Sequence, residues 1–166
     1  MPFYQLYYHL VWCTKNRSPS ITPEIETIIY SYLKFKAMNL GGIVHALNGI
    51  EDHVHMVVTI PPKISVAKFV GQVKGACSTR FNKEHKGFPS FAWQIEYAAF
   101  SFDKKRLPYI VKYVEHQKVH HRERSLIPIL EKTEEMPSNL LGDEPITYLP
   151  DYASWHQDLA KELKLS

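Results

Sequence analysis

Cysteine is scarce: only Cys13 and Cys77 occur in 166 residues. They lie far apart and form no C-x-x-C pair, which excludes a disulfide framework and a zinc ribbon. A reduced, cytoplasmic setting is the simplest expectation. No apolar run is long enough to span a bilayer, so no membrane partner is expected. The start, Met1-Pro2-Phe3-Tyr4-Gln5, has neither the basic residues nor the apolar stretch of a signal peptide. Internal repeats and low-complexity tracts are missing as well. The residues that are present can build a core: 45% are apolar and 13% aromatic, which excludes wholesale disorder. The length suits one domain, with room for an appendage but not for a second full domain.

Net charge is only +3, but it is unevenly spread. Residues 131–166 hold eight acidic and three basic residues, whereas residues 1–130 hold 17 basic and nine acidic ones. The chain therefore divides into a basic body, 1–130, and an acidic C-terminal extension, 131–166, to which no role is assigned. A basic body points to a polyanion as partner, and the competing reading is a solvated surface of mixed charge.

The pattern predicts a first strand over residues 4–13, aromatic and β-branched, followed by the basic loop Thr14-Lys15-Asn16-Arg17-Ser18-Pro19. Ile25, Ile28, Ile29, Tyr32, Leu33 and Phe35 recur at helical spacing within residues 21–39, and Gly41-Gly42 ends that helix. Residues 43–50 and 53–60 read as a hairpin turning at Glu51-Asp52. Residues 65–85 read as a helix opened by a Ser65 cap, and 91–102 as a fourth strand. Asp103 then caps a helix from 104 to about 124. Pro137, Gly142, Pro145 and Pro150 break the extension, leaving a short helix at 151–163. The order β-α-β-β-α-β-α predicts an α+β sandwich of the ferredoxin-like kind: a mostly antiparallel four-stranded sheet covered by helices.

Two constellations carry chemistry. His53-Val54-His55 opens a strand, so both imidazoles face one side, about 7 Å apart along it, and Val54 faces the other. Such a pair can ligate one metal ion, or it can be two hydrogen-bonded histidines on a half-wet strand. Further on, Tyr109, Tyr113 and Gln117 fall on one helical face at i, i+4 spacing. Gln117 can offer a carbonyl to a metal or an amide to a phosphate, and Tyr113 a phenol as nucleophile. The alternative is that both tyrosines are core aromatics. His120-His121 can touch phosphate or cap the helix C-terminus, the latter being the preferred reading. His9, His45, His85 and His156 read as structural or surface residues.

Taken together and in order, these pieces resemble a single-tyrosine HUH transposase of the insertion-sequence-200-like (200/605) family, a group that includes the REP-associated tyrosine transposases. Val11-Trp12-Cys13-Thr14-Lys15-Asn16-Arg17 resembles the family's strand followed by TK-x-R. Asp52-His53-Val54-His55-Met56-Val57-Val58 resembles the D-H-V-H signature. Residues 64–75 resemble the helix that follows, and Trp93-Gln94 with Tyr97 to Ser101 resembles the W-Q…GY-x-x-FS strand. Tyr113 to Gln117 with His120-His121 resembles Y-I-x-N-Q-x-x-H-H. The resemblance spans about residues 3–125. Glu96 replaces a glycine and His116 an asparagine, and the usual Phe-Glu-Glu-Tyr-like ending after Arg124 is not matched.

The resemblance implies that His53, His55 and Gln117 ligate a divalent metal, Mg²⁺ or else Mn²⁺. It implies that Tyr113 attacks a phosphodiester of single-stranded DNA to give a 5′-phosphotyrosine, on hairpin-bearing element ends. It also implies a homodimer whose active sites are shared between subunits. Candidate DNA-backbone contacts are Lys15, Arg17, Lys68, Lys74, Arg80, Lys83, Lys105, Lys112 and Arg122. Three rivals stand beside this reading. One is a domesticated relative with the same chemistry. The second is a replication or relaxase initiator, with Tyr109 as a second tyrosine. The third is a non-catalytic nucleic-acid-binding module.

Overall fold

The computed structural model describes residues 2–131, with the backbone alone at Ile129. In chain order it contains β1 (Tyr7–Cys13), α1 (Pro23–Asn39), β2 (Ile43–Ile50), β3 (His53–Thr59), α2 (Val66–Glu84), β4 (Ala98–Phe102), α3 (Leu107–Glu115) and α4 (Gln117–Glu123). Short 3₁₀ turns cover Lys15–Arg17, Lys104–Arg106 and Pro128–Glu131. The four strands form one sheet in the order β2-β3-β1-β4, every pair antiparallel. This is the expected α+β sheet-and-helix sandwich.

The helix ends follow local chemistry. Ser65 caps α2 by accepting the Lys68 N–H at 3.2 Å, an interaction worth about 1 kcal/mol. After α1, Gly41 turns left-handed (φ +83°), its N–H donating to the Met38 carbonyl and that of Gly42 to the Ala37 carbonyl. This 6→1 and 5→2 pattern needs a residue without a Cβ at Gly41.

Strand alternation divides the core into two. Leu10, Trp12, Val54, Met56 and Val58 face α1 and α2, where they pack with Ile29, Leu33, Phe69, Val73, Cys77 and Phe81. On the other side Val57 and Ala46 pack with Ile110, Tyr113 and Val114 of α3, and with Ile127 and Leu130 beyond α4. β3 lies between β1 and β2, and all seven of its residues are buried. Its two histidines therefore open onto the face that α3 and α4 cover.

Two elements differ from the sequence expectation. The fourth strand begins at Ala98 rather than at 91. Residues 91–97 are fastened by side chains and loops instead. Asn82 brackets Phe91, donating to its carbonyl (2.8 Å) and accepting its N–H (2.7 Å). The Lys74 ammonium donates to the carbonyls of Gln94, Ile95 and Glu96 at 2.5, 3.0 and 3.2 Å. The single helix expected over 104–124 is a 3₁₀ turn followed by α3 and α4, with a break at His116 (φ −103°, ψ 20°). Asp103 does cap this stretch, accepting the Arg106 N–H. The short helix expected at 151–163 and the rest of the extension after Glu131 lie outside the described residues.

The β2–β3 hairpin tolerates no side chain at Gly49. A Cβ there would sit 2.1 Å from the His53 carbonyl oxygen and 2.8 Å from the Val54 Cα. Because both neighbours are backbone, Gly49→Ala is expected to cost roughly 3 kcal/mol or more, read as a lower midpoint in urea. A midpoint equal to wild type would show that the hairpin yields at this point.

Candidate active site

The site is built from the paired-histidine end of β3. His53 and His55 alternate with the core residues Val54 and Met56, so both imidazoles emerge on the α3/α4 face with ring centroids 5.1 Å apart. Each is oriented from behind. His53 Nδ1 bonds Asp52 Oδ1 at 2.7 Å, and Asp52 in turn pairs with Arg17 at 3.3 Å. His55 Nδ1 bonds His9 Nε2 at 2.9 Å, and the two rings stack with 12° between their planes. Both Nε2 atoms are thereby directed forward, the arrangement that fixes the tautomer of a metal-ligating histidine.

They are directed at Glu131. Its Oε2 lies 3.1 Å from His55 Nε2, 3.3 Å from His53 Nε2 and 3.5 Å from His121 Nε2. Its Oε1 accepts from the Tyr113 hydroxyl and, at 3.2 Å, from the Gln117 amide. Gln117 also uses its other end, for its carbonyl accepts from His121 Nε2 at 3.1 Å. The Tyr113 oxygen accepts the Ile127 N–H at 3.1 Å, and its ring stacks on His120 with centroids 4.6 Å apart. Helical spacing explains the grouping: Tyr113, Gln117 and His121 are successive i, i+4 positions, and the break at His116 keeps all three turned to the sheet.

The electrostatics are those of a carboxylate among imidazoles. Burial alone would raise the Glu131 carboxyl, but the imidazoles of His121, His53 and His55 gathered against it hold it well below the usual carboxylate range. Burial also opposes charge on His53, yet its hydrogen bond to Asp52 and the Glu131 charge in front of it leave it raised. Burial lowers His55 and, with help from His55, lowers His9 further. The Tyr113 phenol is pushed far up by burial and by the Glu131 charge beside it. Tyr113 is fully buried, so the arrangement described holds the phenol protonated and covered.

The donor set suits a metal. His53, His55, His121 and Glu131 each offer one ligand atom, all within 4.8 Å of one another. His53 Nε2 is buried and makes no hydrogen bond among the described residues. An imidazole nitrogen oriented from behind and left unbonded in front has the form of a ligand awaiting a cation.

Of the residues singled out from sequence, His53, His55, Tyr113 and Gln117 converge here. Tyr109 stays on the outer part of α3, where it lines a cleft with Lys105, Pro108, Val111, Lys112 and Glu115. Lys15 is exposed beside the site, and Arg17 is bound to Asp52. Arg122 and Lys118 line a second cleft that reaches His121. Lys68, Arg80 and Lys83 project from α2 on the far side of the sheet, and Arg80 is paired with Glu84. Lys74 is different. Its ammonium is buried against three carbonyls, so a phosphate contact would cost it all three bonds. Sequence reasoning missed His9, His121 and Glu131. His9 alternates correctly to share the β3 histidine face, and His121 continues the Tyr113–Gln117 spacing, so both had a signal. Glu131 had none, standing where the acidic extension was taken to begin.

The structure is thus a four-stranded antiparallel sheet with an oriented histidine pair facing a helix-borne tyrosine and glutamine. Comparison gives the family. The IS200-like transposase family model matches residues 2–117, and the chain belongs to that family. It is 29% identical over 119 residues to the ISDra2 transposase TnpA of Deinococcus radiodurans, covering 69% of this chain and 85% of that one. It is 32% identical over 71 residues to the IS200 transposase of Salmonella typhimurium, covering 43% of this chain and 47% of that one. A transposase structure from Deinococcus radiodurans R1 superposes with a TM-score of 0.55 at 26% identity, over 70% of this chain and 93% of that one. The structure of a REP-associated tyrosine transposase bound to a REP hairpin shares the fold, with a TM-score of 0.55 at 14% identity over 73% of this chain and 74% of that one.

His9 offers a direct check on this geometry. His9→Phe keeps a ring between Phe100 and His55 but removes the hydrogen-bond partner of His55 Nδ1. Affinity for a divalent metal is expected to fall about 10- to 100-fold, measured by the metal-induced shift in melting temperature. An unchanged shift would assign His9 to packing alone.

Proposed function

We propose that this transposase nicks and rejoins single-stranded DNA through Tyr113, at a divalent metal held by His53, His55 and Gln117. The observation that carries the reading is the approach of Tyr113 to the histidine pair, its ring centroid 6.3 Å from that of His55. The bound cation, Mg²⁺ or Mn²⁺, supplies charge neutralisation at the scissile phosphate. The rest falls to the chain. Asp52 and His9 hold the two imidazoles in one tautomer and one orientation. Tyr113 Oη forms the bond to phosphorus and gives up its proton, and the bond from phosphorus to the 3′ oxygen breaks. The products are a 5′-phosphotyrosine and a free 3′-OH, and attack by another 3′-OH reverses the step and joins new strands. The phosphodiester energy is retained in the covalent link, so no nucleotide is consumed.

Access is part of the mechanism. Ile127 and Leu130 are buried over Tyr113, so residues 127–130 have to shift before a phosphate reaches its oxygen. That movement also relieves the burial that keeps the phenol protonated. For the substrate, hairpins at element ends are supported by the fold shared with a hairpin-bound REP-associated transposase. Lys15, Arg17, Lys105, Lys112 and Arg122 lie on loops and helices of the site's face and supply backbone contacts, and such work on DNA places the protein in the cytoplasm at the nucleoid. A homodimer with sites shared between subunits is the arrangement the resemblance implies. The position of Tyr113 against its own chain's His55 favours a site complete within one chain.

The test is a cleavage assay on labelled single-stranded DNA from the ends of the host element, with and without Mg²⁺ or Mn²⁺. Wild type is expected to give a metal-dependent covalent protein–DNA band that Tyr113→Phe abolishes. A band that survives in Tyr113→Phe moves the nucleophile elsewhere, Tyr109 being the next tyrosine on that face. No band on any end sequence, together with metal-independent hairpin binding, would make the protein a binding module.

A further inference from the structure

We propose that Glu131 is itself a protein ligand of the metal, adding a carboxylate to His53, His55 and Gln117. Its second oxygen then ties Tyr113 to the same cation. The inference rests on the reading of the histidine pair as ligands and deepens it with a residue outside the family match, which ends at Gln117.

Three observations carry it. First, the spacing fits a coordination shell. Ligand bonds of about 2.1 Å put adjacent ligand atoms about 3.0 Å apart in an octahedron and about 3.4 Å apart in a tetrahedron. Glu131 Oε2 lies 3.1 Å from His55 Nε2 and 3.3 Å from His53 Nε2. Second, each imidazole already uses Nδ1, on His9 and Asp52 respectively, so only Nε2 is left to face the carboxylate. His53 Nε2, for all its nearness to Glu131, makes no hydrogen bond. A contact of this length with poor hydrogen-bond geometry is what two ligands of one ion show. Third, the carboxylate divides its labour. Oε2 takes the imidazoles, whereas Oε1 accepts from the Tyr113 hydroxyl and the Gln117 amide. His121 completes the frame by donating to the Gln117 carbonyl at 3.1 Å.

The ligand chemistry then selects the ion. Mg²⁺ prefers oxygen donors and keeps its waters, while two imidazoles and one carboxylate suit a first-row transition dication with open positions. The site should therefore take Mn²⁺ in preference to Mg²⁺, with places left for phosphate oxygens.

The experiment titrates metal-free protein with Mn²⁺, following free Mn²⁺ by electron paramagnetic resonance. It compares wild type, Glu131→Gln, Glu131→Ala and His53→Ala, each first melted without metal to confirm folding. Wild type should bind one Mn²⁺, and both Glu131 variants should bind it at least about tenfold more weakly, as should His53→Ala. Equal or tighter binding in the two Glu131 variants, with His53→Ala weakened, overturns the inference but leaves the histidine-pair site standing. In that case Glu131 is an occupant that metal or DNA must displace. Undiminished binding in His53→Ala removes the histidine pair as ligands and the inference with it.

Discussion

Everything at the candidate site depends on β3 being paired along both edges. With β1 on one side and β2 on the other, no residue of this strand reaches bulk water. Alternation then has an unambiguous result: Val54, Met56 and Val58 enter the α1/α2 core, and His53 and His55 enter the opposite layer. A one-residue slip would exchange the two sets and destroy both core and site. Gly49, where the two backbones approach too closely for a Cβ, helps to hold that register.

Burying two imidazoles in this way demands partners, because unsatisfied polar atoms cost about 1–3 kcal/mol each. The chain supplies them on two levels. Behind the pair stand Asp52, with Arg17 beyond it, and His9. In front stands Glu131, which also engages Tyr113, Gln117 and His121. One carboxylate thus connects the sheet to α3 and α4. The same contact that organises the site keeps Tyr113 a phenol, through burial and an adjacent negative charge. In the proposed reaction organisation and activation are therefore separate events, and the second requires the cover of Ile127 and Leu130 to yield.

The sequence makes the scaffold legible because its signals are local. Alternation marked β1 to β3, the Gly41-Gly42 pair marked the end of α1, and Ser65 and Asp103 marked two helix starts. It failed where tertiary contacts override local pattern. Residues 91–97 have strand-like composition, but Lys74 and Asn82 hold them as a loop. A buried lysine with three carbonyl partners looks the same in sequence as a surface cation. Of the site, His53, His55, Tyr113 and Gln117 were legible from the family signature. His121 was visible in the spacing yet read as a helix cap, and Glu131 is recruited by folding from a position with no pattern around it.

The central claim is that one chain contains a whole phosphoryl-transfer site, with Tyr113 facing its own His53 and His55. Mixing His53→Ala with Tyr113→Phe, each inactive alone, tests it most directly on labelled single-stranded end DNA. A site complete within one chain predicts no covalent protein–DNA band from the mixture at any ratio. A band restored to a sizeable fraction of wild type would contradict the account, since the tyrosine would then be serving the histidine pair of another subunit.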